Sequence, residues 1–125
     1  MLKLFHYLSE VDGFAITPAI EQPPLEFSSI QEVFELVYEH EKKVTQSINK
    51  LVGICYREDD YNTLNFLQWY VEEQREEENQ ARSILDKIKL IGKGDQSLYY
   101  IDKEMKKFLA TALAAEAADA ANGGA

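Results

Sequence analysis

Two long apolar stripes in this chain are interrupted by polar residues, and no other feature constrains its fold more. Val37, Glu41, Val44 and Ile48 are spaced four, three and four apart, so they share one face of a helix. Tyr70, Gln74, Glu77, Ala81, Ile84 and Ile88 form a second face by the same rule. Glu41 breaks the first face; Gln74 and Glu77 break the second. A buried carboxylate without a partner is costly or gives up its charge. Something must offset that cost, and a bound cation is a good candidate. Helix bundles that hold paired metal ions use inward carboxylates, with an i, i+3 pair on a helix. Gln74 and Glu77 have that spacing.

The rest of the chain is organised around these two stripes. Ser29 and Glu32 form an S-x-x-E capping box that starts a helix running to about Tyr56. Its stripe continues through Ile30, Phe34, Leu51 and Cys55. Arg57, Glu58, Asp59 and Asp60 make a short polar turn, which predicts an antiparallel partner over residues 61–90. Gly92 and Gly94 then break it. Before the hairpin, residues 1–8 resemble the last two turns of a helix, with Gly13 in the turn that follows. Residues 14–27 carry Pro18, Pro23 and Pro24 and no helical period, so they read as extended. Such a segment reaches up to ~45–50 Å, the length of a 30-residue helix at ~45 Å. Residues 97–113 read as a further helix. In residues 110–121 eight of twelve are alanine, a composition that is helical by propensity.

Composition narrows the class. The 125 residues amount to one domain, and the formal net charge of −9 argues against nucleic acid or an anionic membrane as partner. Cys55 is the only cysteine, which excludes an intrachain disulfide and points to a reducing compartment. No apolar run is long enough to span a membrane, and the first residues are too mixed for a signal peptide. The expectation is a soluble cytoplasmic protein.

Single residues also carry ordinary readings. One polar residue in an apolar stripe often sets register rather than binding anything. Glu72, Glu73, Glu76, Glu77 and Glu78 put five glutamates in seven residues. Such a run is usually a solvated face, and Glu72 and Glu78 are assigned to one. His40 points about 100° away from Glu41 and reads as a surface or inter-helix residue; His6 reads as packing. Trp69 and Tyr70 read as core aromatics, and Cys55 as a small buried hydrophobe.

The second long helix reads YNTLNFLQWYVEEQREEENQARSILDKIKLIG, with YEHEKKVTQSINKL before it and SLYYIDKE after it. These segments closely resemble bacterial non-haem ferritin, and the pattern NFLQWYV-x-EQ-x-EEE is specific to it. The resemblance covers residues 1–106 and stops at the Ala-rich tail. It implies an all-α, ferritin-like fold: a long antiparallel helix hairpin, half of a four-helix bundle, plus a short C-terminal helix. Residues 1–8 correspond to the end of the family's second helix, 29–56 to its third, 61–90 to its fourth and 97–108 to its fifth. The domain reading is therefore a truncated ferritin-like domain over 1–106 and an Ala-rich tail over 107–125.

The resemblance also implies a function. The family oxidises Fe(II) at a di-iron centre in each subunit and stores the ferric mineral in a 24-subunit shell. On that basis Glu41, Gln74 and Glu77 are metal-site residues, and Glu73 and Glu76 match a third iron site that Glu77 also serves. The family's first helix and most of its second have no counterpart here. They carry a glutamate, a Glu-x-x-His pair and a tyrosine near the metals. Met1 aligns just after that histidine, as an internal start or a split gene would produce. The expectation is an iron-binding and iron-storage protein with half of the ferroxidase ligands absent. It would hold Fe(II)/Fe(III) weakly and associate with itself or with ferritin subunits. The competing expectation is a non-catalytic helical fragment that only packs against such partners.

Overall fold

The computed structural model describes residues 2–92 and 96–122. Within them the chain forms four helices: α1 (Leu2–Glu10), α2 (Ile30–Arg57), α3 (Tyr61–Ile91) and α4 (Ser97–Asn122). Between α1 and α2 the backbone has no regular structure, as its prolines require. No helix among the described residues is long and apolar enough to cross a membrane.

Local capping sets where the helices begin and end. Ser29 is extended, and its hydroxyl accepts the Glu32 backbone N–H at 3.1 Å. The reciprocal half of the expected capping box is shifted by one residue. The Glu32 carboxylate accepts the backbone N–H of Ser28 at 2.6 Å and the Ser28 hydroxyl. The Ser28 hydroxyl bond, then its backbone bond, hold the Glu32 carboxyl below its ordinary pKa. At the other end of α2, Asp59 adopts a left-handed backbone with φ 52°, and Asp60 N–H reaches the Cys55 carbonyl at 2.9 Å. The Asp60 side chain then caps α3 by accepting Thr63 N–H at 3.0 Å. Three residues thus reverse the chain. The same device closes α1. The left-handed residue is Asp12 (φ 55°), and Gly13 follows it, donating to the Leu8 carbonyl at 2.7 Å. A Cβ on Gly13 would stand 3.1 Å from that carbonyl oxygen, which is why glycine suits the position.

The α2–α3 seam follows a seven-residue repeat. Leu67, Gln74, Ala81 and Ile88 are buried at that interval on α3, with Leu85 beside them. Ile48 and Cys55 answer on α2. This line is rotated from the stripes expected from sequence. Val37 and Leu51 stay 38% and 45% exposed, and Ile84 is half-buried. A stripe of three- and four-residue spacings spans roughly 100° of a helix. One neighbouring helix covers only its middle, so the edges stay open.

α1 lies on the turn end of this hairpin. Tyr7 stacks on Phe66 with ring centroids 4.0 Å apart, and its hydroxyl is 2.7 Å from Thr63 Oγ1. The Lys3 ammonium sits 3.5 Å over the Trp69 ring. Between α1 and the hairpin remains an apolar pocket of about 330 Å³, lined by Leu4, Leu8, Leu51, Cys55, Phe66 and Leu67.

α4 begins beyond Gly92, whose φ of 73° ends α3. It is a helix of 26 residues rather than the short one implied for 97–108, because alanine carries it through the tail. The boundary assigned between 106 and 107 falls inside it. Ile101, 2% exposed, anchors α4. Glu104 joins it to α3 through Lys87 at 3.0 Å and also pairs with Lys107 on its own helix. The Lys107 and Lys87 hydrogen bonds bring the Glu104 carboxyl from 4.5 down to about 2. A depressed carboxyl pKa stabilises the folded arrangement above the unfolded value and loses that contribution as pH falls through the folded one. Docking of α4 on α3 should therefore weaken between about pH 4.5 and about 2. Ile101 methyl shifts followed by NMR across that range check it. In Glu104→Gln the acid-dependent change should disappear.

Candidate metal centre

Two of the three interrupting residues, Glu41 and Gln74, face each other across the seam. Gln74 Nε2 donates to Glu41 Oε2 at 2.7 Å and to the Glu41 carbonyl at 3.1 Å. Gln74 is buried, 8% exposed, and Glu41 is half-buried. The cost of placing polar groups in the stripes is thus partly met by the pair itself, since a hydrogen-bonded buried polar group loses little. The groups this bond leaves over are a second carboxylate oxygen and an amide carbonyl. Both are oxygen ligands of the kind that suit hard divalent cations.

Other expected site residues stand nearby but are not drawn together. Glu77 is exposed on the next turn of α3, Glu73 is half-buried and Glu76 is exposed. Among the described residues no three His, Cys, Asp or Glu side chains converge closely enough to hold a metal ion.

A second polar rung lies beside the first. Thr45 Oγ1 donates to Glu78 Oε2 at 2.8 Å and lies 3.1 Å from the Glu41 carbonyl. Glu78 was expected on a solvated face; it is half-buried and bonded across the hairpin. The signal was available in the spacing. Thr45 and Glu78 each stand four residues after Glu41 and Gln74, one turn along the same side of each helix. A pocket of about 280 Å³ opens beside this rung, lined in part by Thr45, Asn49, Gln74, Arg75, Glu78 and Asn79.

The aromatic and histidine readings need correction in part. Tyr70, one turn before Gln74, is half-buried, and its hydroxyl is buried without a hydrogen bond of normal geometry. Burial pushes its pKa up, opposed to a lesser extent by the Leu4 backbone. Trp69 is 39% exposed rather than in the core, because α1 covers its ring from one side only. His40 is on the surface as expected. His6 is also exposed, since α1 turns Leu4, Tyr7 and Leu8 towards the hairpin instead. Cys55 is buried.

Known proteins resemble this chain in sequence and in fold. Residues 1–91 match the family model described as Ferritin: Ferritin-like domain. A probable bacterial non-heme ferritin-like protein of Haemophilus influenzae is 51% identical over 105 residues, 84% of this chain and 64% of that protein. A bacterial non-heme ferritin of Campylobacter jejuni is 49% identical over 104 residues, 83% of this chain and 62% of that protein. Among solved structures, an open pore ferritin from the hyperthermophilic archaeon Archaeoglobus fulgidus superposes with a TM-score of 0.78 at 47% identity. That match covers 82% of this chain and 64% of the other. The chain thus spans a little under two thirds of the length of these relatives.

Proposed function

This chain belongs to the ferritin family, and from that premise we propose that it binds iron and acts in iron storage. Glu41, Gln74 and Glu77 are the ligands that the hairpin offers to Fe(II). Glu73 and Glu76 offer a neighbouring site that shares Glu77. The observation that carries this reading is the 2.7 Å bond between Gln74 and Glu41. It joins two ligand-type side chains from different helices at a partly buried point of the seam.

Two carboxylates and one amide are too few donors for a pair of iron ions. The site is completed when a second copy of the chain lays its open flank, with Val37, Val44 and Ile84, against the first. An isologous contact of this kind brings every ligand in twice. It supplies oxygen ligands only, so binding is weak and oxidation of Fe(II) by oxygen is slow. A second reading, a hairpin that only packs, is favoured by one fact: Glu41 and Gln74 satisfy each other without any cation.

Anaerobic calorimetry with Fe(II) separates the two. The wild type should release or take up heat in a saturable titration. Glu41→Ala should lose it, and Glu41→Gln, which keeps an acceptor for Gln74, serves as the folded control. A wild type with no saturable heat leaves the packing reading standing.

A further inference from the structure

We infer that Glu78, by drawing the Thr45 hydroxyl across the hairpin in a lock, keeps the Glu41 carbonyl for the Gln74 amide, so that Glu78 is a positioning residue for the metal-site reading above. This inference rests on that reading for its consequence, but on the hairpin's own geometry for its cause.

The geometry centres on one carbonyl. The Glu41 backbone oxygen lies 3.1 Å from Gln74 Nε2 and 3.1 Å from Thr45 Oγ1. A threonine hydroxyl has one proton to give. Its other acceptor is the Glu78 carboxylate at 2.8 Å, and an ionised acceptor makes the stronger bond. With Glu78 in place the hydroxyl proton is directed across the hairpin, and the Glu41 carbonyl is left to the Gln74 amide. Gln74 then spends its two N–H donors on Glu41, one on the carbonyl and one on the carboxylate. Its carbonyl oxygen is turned away from both. That oxygen is the only part of an amide able to ligate a cation.

Without Glu78 that orientation loses one of its supports. The Thr45 hydroxyl would return to the Glu41 carbonyl, a common bond from threonine to the preceding turn. Gln74 would lose one of its two anchors and keep only the carboxylate bond. Neither Thr45 nor Glu78 need touch the metal. Such outer partners orient the inner ligands, and their loss typically costs 10–100-fold in metal affinity.

Two readouts on the full chain test this. The first needs no metal. In the wild type the Gln74 side-chain N–H protons should be resolved by NMR and slow to exchange with solvent. In Glu78→Ala they should exchange more quickly, and adding Thr45→Val, which removes the competing hydroxyl, should restore protection. Fast exchange in the wild type, or exchange in Glu78→Ala as slow as in the wild type, would overturn the lock. The second readout is Co(II) titration followed by visible absorption. Glu78→Ala should bind about tenfold more weakly than wild type. In a Gln74→Ala background the same change should have no further effect. An equal loss in both backgrounds would assign Glu78 a general structural role and overturn the inference. If Gln74 is protected but the wild type binds no Co(II), the lock stands and the metal reading fails.

Discussion

Adding Fe(II) in the absence of oxygen is expected to double the mass of the protein in solution, and Glu77→Ala is expected to abolish the effect. The flank through which two copies would meet is apolar at Val37, Val44 and Ile84 but acidic at Glu41 and Glu77. The whole chain carries −9, so two metal-free copies repel. Two glutamates from each copy place four negative charges at the contact. Two divalent ions bring four positive charges and turn repulsion into attraction. α1 covers the turn end of the hairpin. Pairing is thereby confined to the open half of the flank, and Glu41 and Glu77 stand near its middle. Light scattering with and without Fe(II) gives the answer. A wild type that stays monomeric would refute the completed-site proposal. A Glu77→Ala protein that pairs as well as wild type would show that apolar contact alone suffices.

Leu67→Ala should be the most damaging single substitution on the hairpin. Leu67 is 3% exposed, at the point where α1, α2 and α3 meet. It already borders a pocket of about 330 Å³, so removing its side chain enlarges a space that the packed helices cannot close. Leucine-to-alanine changes in cores cost about 2.7–5.0 kcal/mol, rising with the cavity left behind. Native domains hold only about 5–15 kcal/mol in total, and a lone hairpin with open flanks lies low in that range. Urea unfolding of the monomer, followed by Trp69 fluorescence, should show the midpoint falling to near zero denaturant. A midpoint that moves by less than about 1 kcal/mol equivalent would mean that the α1–hairpin junction contributes little. Cooperative unfolding of dilute wild type at ~60 °C would likewise contradict a stability low in that range.

Much of the candidate site was legible from residue spacing. The interruptions at Glu41 and Gln74 were visible as polar residues in apolar stripes, and the structure pairs them with each other. The rung behind them was not visible in the same way. Glu78 lay inside a run of glutamates, where charge composition suggests solvent. Only the arrival of Thr45 from the other helix gave it a partner. His6 shows the reverse case: it read as packing, and the rotation of α1 left the ring in solvent.

By itself the sequence determined the elements of this protein. Apolar period, the Ser29 cap, the aspartates of the turn and the prolines of the connection all act within a few residues. They set two long helices, their antiparallel order and the extended segment before them. Local propensity likewise carried α4 through the alanines. Tertiary structure decided what those elements do with their faces. The stripes were wide enough for two neighbours, and the structure chose a seven-residue line through Leu67, Gln74, Ala81 and Ile88 as the seam. That choice put Gln74 inside, left Glu77 on the open flank and joined Thr45 to Glu78. Helical periodicity places a side chain to within a face, whereas a hydrogen bond needs placement to a few tenths of an ångström. Only the packing of one helix on another supplies that precision.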